Sequence, residues 1–587
     1  LALRPTSQQT RETGRAAAEI AAALLVVAFG LWLRLDGLDW DAFAGLHPDE
    51  RHMVFTVTDA LIRMAEADLS GLALWFDTAA SPLNPRADGA FYVYGDLPHN
   101  AATLLAWWTG TGDWDGLLAL GRSLTAGTDG LTVLLAWRLG RLWGRSAWSG
   151  LAAAAFYAGL PVAVQTAHFF TVDPFLALFC AVTLAGLSGA VAEGRGWGMA
   201  GVGMGCALAC KISALAFGPL LFVAGGLAMR AGRGIWRTLG HMALAALVAL
   251  VTFRLASPFS FDGLLPDERY VTALMQLDAM AGDWPGAPPN WSWVGRMPVL
   301  FPLRDLVLFG YAPGIFAALL LVRWRKLDPS AILGIAAALL VLGPMLVHGA
   351  PAMRYALPAG AAMAGLAGLA AARAGTARAA AATACLAVTL VMGDAVRRML
   401  VLPHTRIEAS LWIWQNVPKG GLIVNETAWD EGLPVILRLP GETERTWPFG
   451  EHGFAAGMLE LTDPPSPEKA RRMAGLLASA DLIVESSARM SGSIPRLGGH
   501  RPVAEAYYRL RDAGELCIDE VAGFRRGLPV LGLFEIDDSF AQELWTVYDH
   551  PTVRLFRPLP CADRAGIEAR LMEALPPEAI PLETPPR

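Results

Sequence analysis

Long apolar runs separated by short basic turns continue to about residue 402, where the pattern changes. Runs near the roughly 20 residues a bilayer requires fall at 17–35, 119–141, 147–165, 171–191, 197–211, 213–229, 236–254, 303–322, 330–348, 355–372 and 379–400. They predict about eleven spans. The 197–211 run is the shortest, reaching only about 22 Å as a helix. A further apolar piece at 97–110, "LPHNAATLLAWWTG", is too short to cross and reads as a re-entrant or interfacial helix. From 403 onward, β-rich runs ("GGLIVNE", "ADLIVES", "VRLFRP") alternate with polar helical stretches, the pattern of a soluble α/β domain. The last dozen residues are Pro-rich and are expected to be disordered. The predicted fold class is mainly α: a polytopic membrane bundle followed by an α/β domain.

Short loops rich in Lys and Arg face the cytosol. Arg138, Arg141 and Arg145, then Arg195, then Arg230, Arg233 and Arg237, then Arg323, Arg325 and Lys326, then Arg373 and Arg378 fall in alternate loops. Arg4, Arg11 and Arg15 precede the first run on the same side, with no small-residue cleavage site behind it. An uncleaved first helix is expected rather than a signal peptide; the opening Leu points to a missing Met or an alternative start. The expected organisation is a cytoplasmic tail over 1–16, a transmembrane catalytic domain over 17–402 and an extracytoplasmic domain over 403–587. The large outer loops are 36–118 and 255–302.

Composition agrees. The chain is 54% hydrophobic and 17% charged, against about 25% charged for soluble domains, with a mean hydropathy of +0.40. A net charge of −6 does not suggest a nucleic-acid binder. Of the six cysteines, Cys180, Cys206, Cys210 and Cys385 lie in apolar segments. No metal-type CxxC occurs, and Cys206 and Cys210, four apart, read as packing. Whether Cys517 and Cys561 pair is left open.

The stretch "LHPDERHMVF", residues 46–55, places His47, Asp49, Glu50, Arg51 and His52 just beyond the first span. Val54, Val57, Leu61 and Met64 follow at helical spacing, and Pro48 suits a helix start. Asp49 and Glu50 then occupy a first turn, where free amides and the helix dipole favour anions, so both are expected to stay ionised. The bland reading is a pair of capping acids on a surface helix. Other polar outliers fall on the same predicted face: Arg122, His168, Asp173, Lys211, Arg354 and Tyr355. Each has a dull explanation: snorkelling for Arg122, a helix cap for Asp173, an ion pair for Lys211. Together they suit one chemistry. Cations beside the outer leaflet hold a lipid phosphate and stabilise it as it leaves, while a carboxylate takes the proton of an attacking hydroxyl. That combination describes sugar transfer from a polyprenyl-phosphate donor. The competing reading is a transporter or flippase. Transporters, however, place charges near the midplane and often carry inverted repeats, and no repeat is evident by eye. A catalytically silent membrane scaffold is a third reading.

Eight pieces carry a family resemblance: "GLHPDE", "YVYGDLP", "LGRSLTAGTDGLTVLLAWRLGRLWGR", "TAHFFTVDPFLALF", "ALACKISALAFGPLL", "RYALPAGAAMAGLAGL" and, in the tail, "ESSARMSGSIPRL" and "VYDHPTVRLF". Their order resembles the GT-C class of lipid-carrier-dependent glycosyltransferases, specifically the family 39 branch of protein O-mannosyltransferases and their bacterial relatives. The resemblance implies a GT-C fold and inverting transfer of a sugar to an acceptor hydroxyl on the extracytoplasmic side. It implies Asp49 as base and Glu50 as a partner that orients it or the acceptor, Arg122, Lys211 and Arg354 at the donor phosphate, and His47, Tyr94, His168, Asp173 and Tyr355 in contact with substrate. The partners implied are the polyprenyl-phosphate sugar and membrane lipid, with the acceptor (protein, lipid or glycan) undefined. Some members use a divalent metal; no ligand spacing here demands one. The tail lacks the threefold repeat of the β-trefoil found in eukaryotic members, so the acceptor does not carry over. The Ala- and Arg-rich composition points to a bacterial inner or plasma membrane.

Overall fold

The computed structural model describes residues 7–67, 71–282, 288–372, 374–450 and 453–577. Arg4, Arg373, the 283–287 part of the Pro- and Trp-rich loop and the Pro-rich close from 578 lie outside the described residues.

The chain is an integral membrane protein, mainly helical, with a sheet-containing C-terminal region. The Trp114–Gly144 helix packs against the helices Ser7–Leu35, Ala147–Ala158, Asp173–Ala192 and Gly360–Gly368. Small residues set its closeness to its neighbours and that of other pairs. In Trp197–Leu208, Gly201 and Gly205 face the carbonyls of Ala245 and Ala249, where an added Cβ would stand 2.5 Å away. This is how helices approach when lipid offers no hydrophobic drive.

Helices occupy the expected apolar runs, but they are not all straight crossings. Among the described residues, five are long and apolar enough to span a membrane, or up to seven if each bent pair is one span. Trp197–Leu208 and Ala331–Val347 are shorter. The 303–322 run departs most from expectation. Leu300–Gly310 and Ala312–Leu320 meet at 102°, with Ala312 at φ +66° directly before Pro313. Proline disfavours the helical conformation in the residue before it and offers no amide of its own, so the helix breaks there. The 97–110 piece forms a short helix, Asp96–Thr109.

The tail holds a five-stranded mixed sheet in the order Ala455–Met458, Leu422–Asn425, Leu482–Glu485, Val553–Pro558, Ile518–Phe524. The first three are parallel and the last two pair antiparallel. Helices Pro467–Ser479 and Pro502–Asp512 bury apolar residues alongside it. A Cys517–Cys561 disulfide lies beside the Ile518–Phe524 strand, which answers the question the sequence left open.

The tail is fastened to the bundle by buried polar contacts. Gln165 Nε2 donates to the Trp545 carbonyl at 2.9 Å and to Asp549 Oδ2 at 2.7 Å. The Met353 amide donates to Gln542 Oε1 at 3.1 Å, and the Gln542 amide to Asp305 Oδ2 at 2.8 Å. His550 sits between Asp538 (2.9 Å) and Asp549 (2.7 Å). Burial disfavours its cationic form, but the two carboxylates prevail and raise its pKa to about 10. A histidine raised above its ordinary value of 6.5 contributes stability fully below that value and loses it as pH rises through the folded pKa. The apparent unfolding temperature of purified protein is therefore expected to fall between pH 7 and pH 10. In His550→Gln it is expected to start lower and lose this pH dependence, as read by thermal unfolding across that range.

Candidate active site

The Pro48–Glu66 helix starts the site. His47 caps it, accepting the Asp49 amide on Nδ1 at 3.2 Å, and Pro48 supplies the first turn. Burial lowers the His47 pKa to about 3, so its ring is neutral and free to accept. Successive residues of a helix point about 100° apart. Asp49 and Glu50, adjacent in sequence, therefore face different surroundings.

Glu50 points inward and is fully buried. It receives Arg122 Nε on Oε1 at 2.9 Å, Arg122 Nη2 on Oε2 at 2.8 Å, and the Phe170 amide at 2.7 Å. Arg122 Nη1 donates to the Leu38 carbonyl at 2.7 Å and to Asp41 at 2.9 Å. The Arg122 guanidinium lies against Trp40 and Phe43, and its side chain has no exposure. Burial raises Glu50 above its ordinary pKa against the pull of Arg122, while the Arg122 charge holds Asp41 below its own. Two expectations are corrected here. Arg122 does not face a donor phosphate, because its donors are spent on Glu50, Asp41 and Leu38. Glu50 does not orient Asp49, because both its oxygens are occupied by Arg122 and Phe170. His168 is corrected likewise: its ring nitrogens lie 2.7 Å from the Val164 carbonyl and 3.0 Å from that of Asp36, with no face left for substrate.

Asp49 points the other way. Its Oδ2 lies 2.6 Å from Arg354 Nη1. Arg354 Nε is 4.0 Å from Asp173, and Asp173 is 3.3 Å from Lys211 Nζ. Four alternating charges thus form a row: Asp49, Arg354, Asp173, Lys211. Asp49 and Arg354 are each a quarter exposed, whereas Asp173 is buried. Burial pushes the Asp49 carboxyl up, but the Arg354 charge and hydrogen bond, with His47 and Lys211 nearby, take it well below the ordinary carboxylate range. The Lys211 ammonium lies 5.9 Å from the Tyr94 ring centre and 5.2 Å from that of Tyr355. A narrow cleft opens beside the row, lined by His47, Phe169, Met353, Arg354, Trp545 and Tyr548.

The sequence reading missed Tyr548. Its ring lies 4.2 Å from that of His47, centre to centre, and its hydroxyl is 3.5 Å from Arg489 Nη2. The tail therefore supplies a wall of the cleft. The signal was present in the quoted "VYDHPTVRLF", but nothing in the spacing tied that strand to a loop 500 residues upstream.

A backbone contact sets Tyr94 beside Lys211. The Gly95 amide donates to the Cys210 carbonyl at 3.0 Å, and the Leu97 amide to that of Ala209 at 3.0 Å. A Cβ on Gly95 would stand 2.1 Å from the Ala209 oxygen. Gly95→Ala is expected to push these strands of chain apart, destabilising the protein by about 1–3 kcal/mol and moving Tyr94 away from Lys211. Thermal unfolding and accessibility of Lys211 to an amine-reactive probe check both effects.

Residues 125–258 match a family model described as dolichyl-phosphate-mannose-protein mannosyltransferase. The match covers less than a quarter of the chain and agrees with the resemblance read from the sequence. The matched model describes a lipid-phosphate sugar transferase, not a transporter. Two solved structures are similar in course to this chain. One is ArnT from Cupriavidus metallidurans bound to undecaprenyl phosphate, with 18% identity and a TM-score of 0.40 over 69% of this chain and 73% of that one. The other is the oligosaccharyltransferase AglB from Archaeoglobus fulgidus in complex with an inhibitory peptide and a dolichol-phosphate, with 12% identity and a TM-score of 0.48 over 84% and 72%. Likeness at that level says nothing further about activity. No curated protein matches the sequence. Among the described residues, no three His, Cys, Asp or Glu side chains converge as a metal site.

Proposed function

We propose that the chain transfers a hexose from a polyprenyl-phosphate donor to an acceptor hydroxyl, with inversion, at the charge row beginning with Asp49. The observation that carries this reading is the Asp49–Arg354 pair, each partner a quarter exposed, with Arg354 also lining the cleft and Asp173 and Lys211 behind it. Arg354 and Lys211 receive the donor phosphate. The acceptor oxygen attacks the anomeric carbon, the bond from that carbon to the phosphate oxygen breaks with its electron pair going to the phosphate, and the hydroxyl proton passes to Asp49. Paired with Arg354, Asp49 is a weak base. An incoming phosphate competes for the guanidinium, which raises the basicity of Asp49 only when the donor is in place. His47 and Tyr548 border the space where an acceptor approaches, and Tyr94 and Tyr355 flank the Lys211 ammonium.

In this reading 17–402 is the catalytic domain, 403–587 an extracytoplasmic domain that closes the cleft, and the setting a bacterial inner or plasma membrane. The basic loops carry the orientation. A reporter fused after residue 410 is expected to give an extracytoplasmic signal; a cytoplasmic one overturns the arrangement. The activity is tested by incubating purified protein with a polyprenyl-phosphate hexose and membrane or protein acceptors from the host, and following the sugar by mass spectrometry. Donor consumption without a glycosylated product, or no consumption, rejects the reading.

A further inference from the structure

A second charged cavity lies away from the charge row, at the end of the Trp114–Gly144 helix. It has a volume of about 360 Å³. Trp143, Leu327 and Leu369 give it an apolar wall, and Arg145, Arg323 and Arg378 stand around it. One acid lines it, Asp328, and that acid is spent: it pairs with Arg145 Nε at 2.8 Å and accepts the Ser330 amide at 2.9 Å and hydroxyl at 2.6 Å. Arg323 and Arg378 have no carboxylate partner among the described residues, and both line this one cavity. Arg378 Nε and Nη1 are shielded from water, yet neither has a hydrogen-bond partner among the described residues. Leaving shielded donors of a cation unmet is costly, more so with a second cation beside them. Simple basic flanking of a membrane helix needs neither a cavity nor buried donors, because such arginines reach water.

We propose that this cavity binds an anionic phosphate group, with Arg323 and Arg378 as its cationic ligands and Trp143, Leu327 and Leu369 as a wall for an attached apolar chain. The wall favours the phosphodiester head of an anionic lipid; free phosphate shares the charge chemistry. The inference does not depend on the proposed transfer reaction, since none of these residues belongs to the charge row.

Native mass spectrometry of the full-length protein, delipidated in detergent, tests it with three probes: dioleoyl phosphatidylglycerol, dioleoyl phosphatidylcholine and inorganic phosphate. Wild type is expected to retain phosphatidylglycerol at least fivefold more than phosphatidylcholine, and Arg323→Gln/Arg378→Gln to lose that preference. Arg323→Gln alone, at an exposed side chain, is expected to weaken it and guards against misfolding of the double variant. Arg237→Gln, an exposed arginine outside the cavity, is expected to leave it unchanged. If inorganic phosphate displaces phosphatidylglycerol at equal concentration and the double variant binds neither, the ligand is free phosphate. Equal retention of both lipids with no phosphate adduct, or a preference that survives in both cavity variants, overturns the proposal.

Discussion

Asp49→Asn is expected to lower sugar transfer by about 10²–10⁴-fold, the range that a positioned general base contributes, while leaving the protein folded. Asparagine keeps the shape of the side chain and an oxygen that still accepts from Arg354, whose Nη1 lies 2.6 Å from the Asp49 carboxylate. It cannot take a proton from a hydroxyl. The helix start is untouched, because His47 caps it through the Asp49 backbone amide rather than the side chain. The thermal unfolding temperature in detergent should therefore stay close to wild type while turnover is lost, and binding of the polyprenyl-phosphate sugar should be retained. Arg354→Gln is expected to act differently, raising the donor KM, because it removes a phosphate contact and frees Asp49. Near-normal turnover by Asp49→Asn with the polyprenyl-phosphate donor removes Asp49 as the base.

Much of the bundle was legible because bilayer-length apolar runs and basic turns are one-dimensional signals. Asp49, Asp173, Lys211 and Arg354 were also legible as candidates, since each is a charge at the edge of an apolar run, and they do come together. What the sequence did not reveal is direction. Asp49 and Glu50 look equivalent as neighbouring first-turn acids; only the packing of Pro48–Glu66 on Trp114–Gly144 sends Glu50 into the core and Asp49 toward Arg354. Arg34 and Asp129 show the same limit. Their ion pair, 2.5 Å and fully buried with the Tyr157 hydroxyl 2.7 Å from Asp129, joins the first and second expected spans. Each residue alone reads as an interfacial or isolated charge. The bend before Pro313 was written in the sequence, but a proline in an apolar run more often kinks a helix than turns it by 102°. Tyr548 could not be placed because its contact with His47 depends on how the tail docks.

The same distinction of direction makes Arg122 the site of the second large effect, on stability. Arg122→Met is expected to destabilise the protein by about 3–5 kcal/mol, the cost of removing one partner from a buried ion pair. Asp41 and Glu50 would both remain, fully buried and without their cation. Each keeps a single backbone donor, from Leu46 and Phe170 respectively, which does not offset an uncompensated charge. The lost stability should return in part as pH falls. Without Arg122 both carboxyls are raised in the folded state above their unfolded values, so they favour folding when protonated and oppose it as pH rises through their folded pKa. Thermal unfolding of Arg122→Met at pH 5 and pH 8 should show a larger deficit at pH 8. Asp41→Asn/Glu50→Gln/Arg122→Met removes the stranded charges and is expected to recover much of the loss, since replacing a whole buried ionic group is often close to neutral. Donor affinity separates this role from phosphate binding. In the triple variant the folded fraction should keep its donor KM, because Arg354 and Lys211 are untouched. A triple variant that is well folded but has a donor KM raised tenfold or more would return Arg122 to the phosphate site.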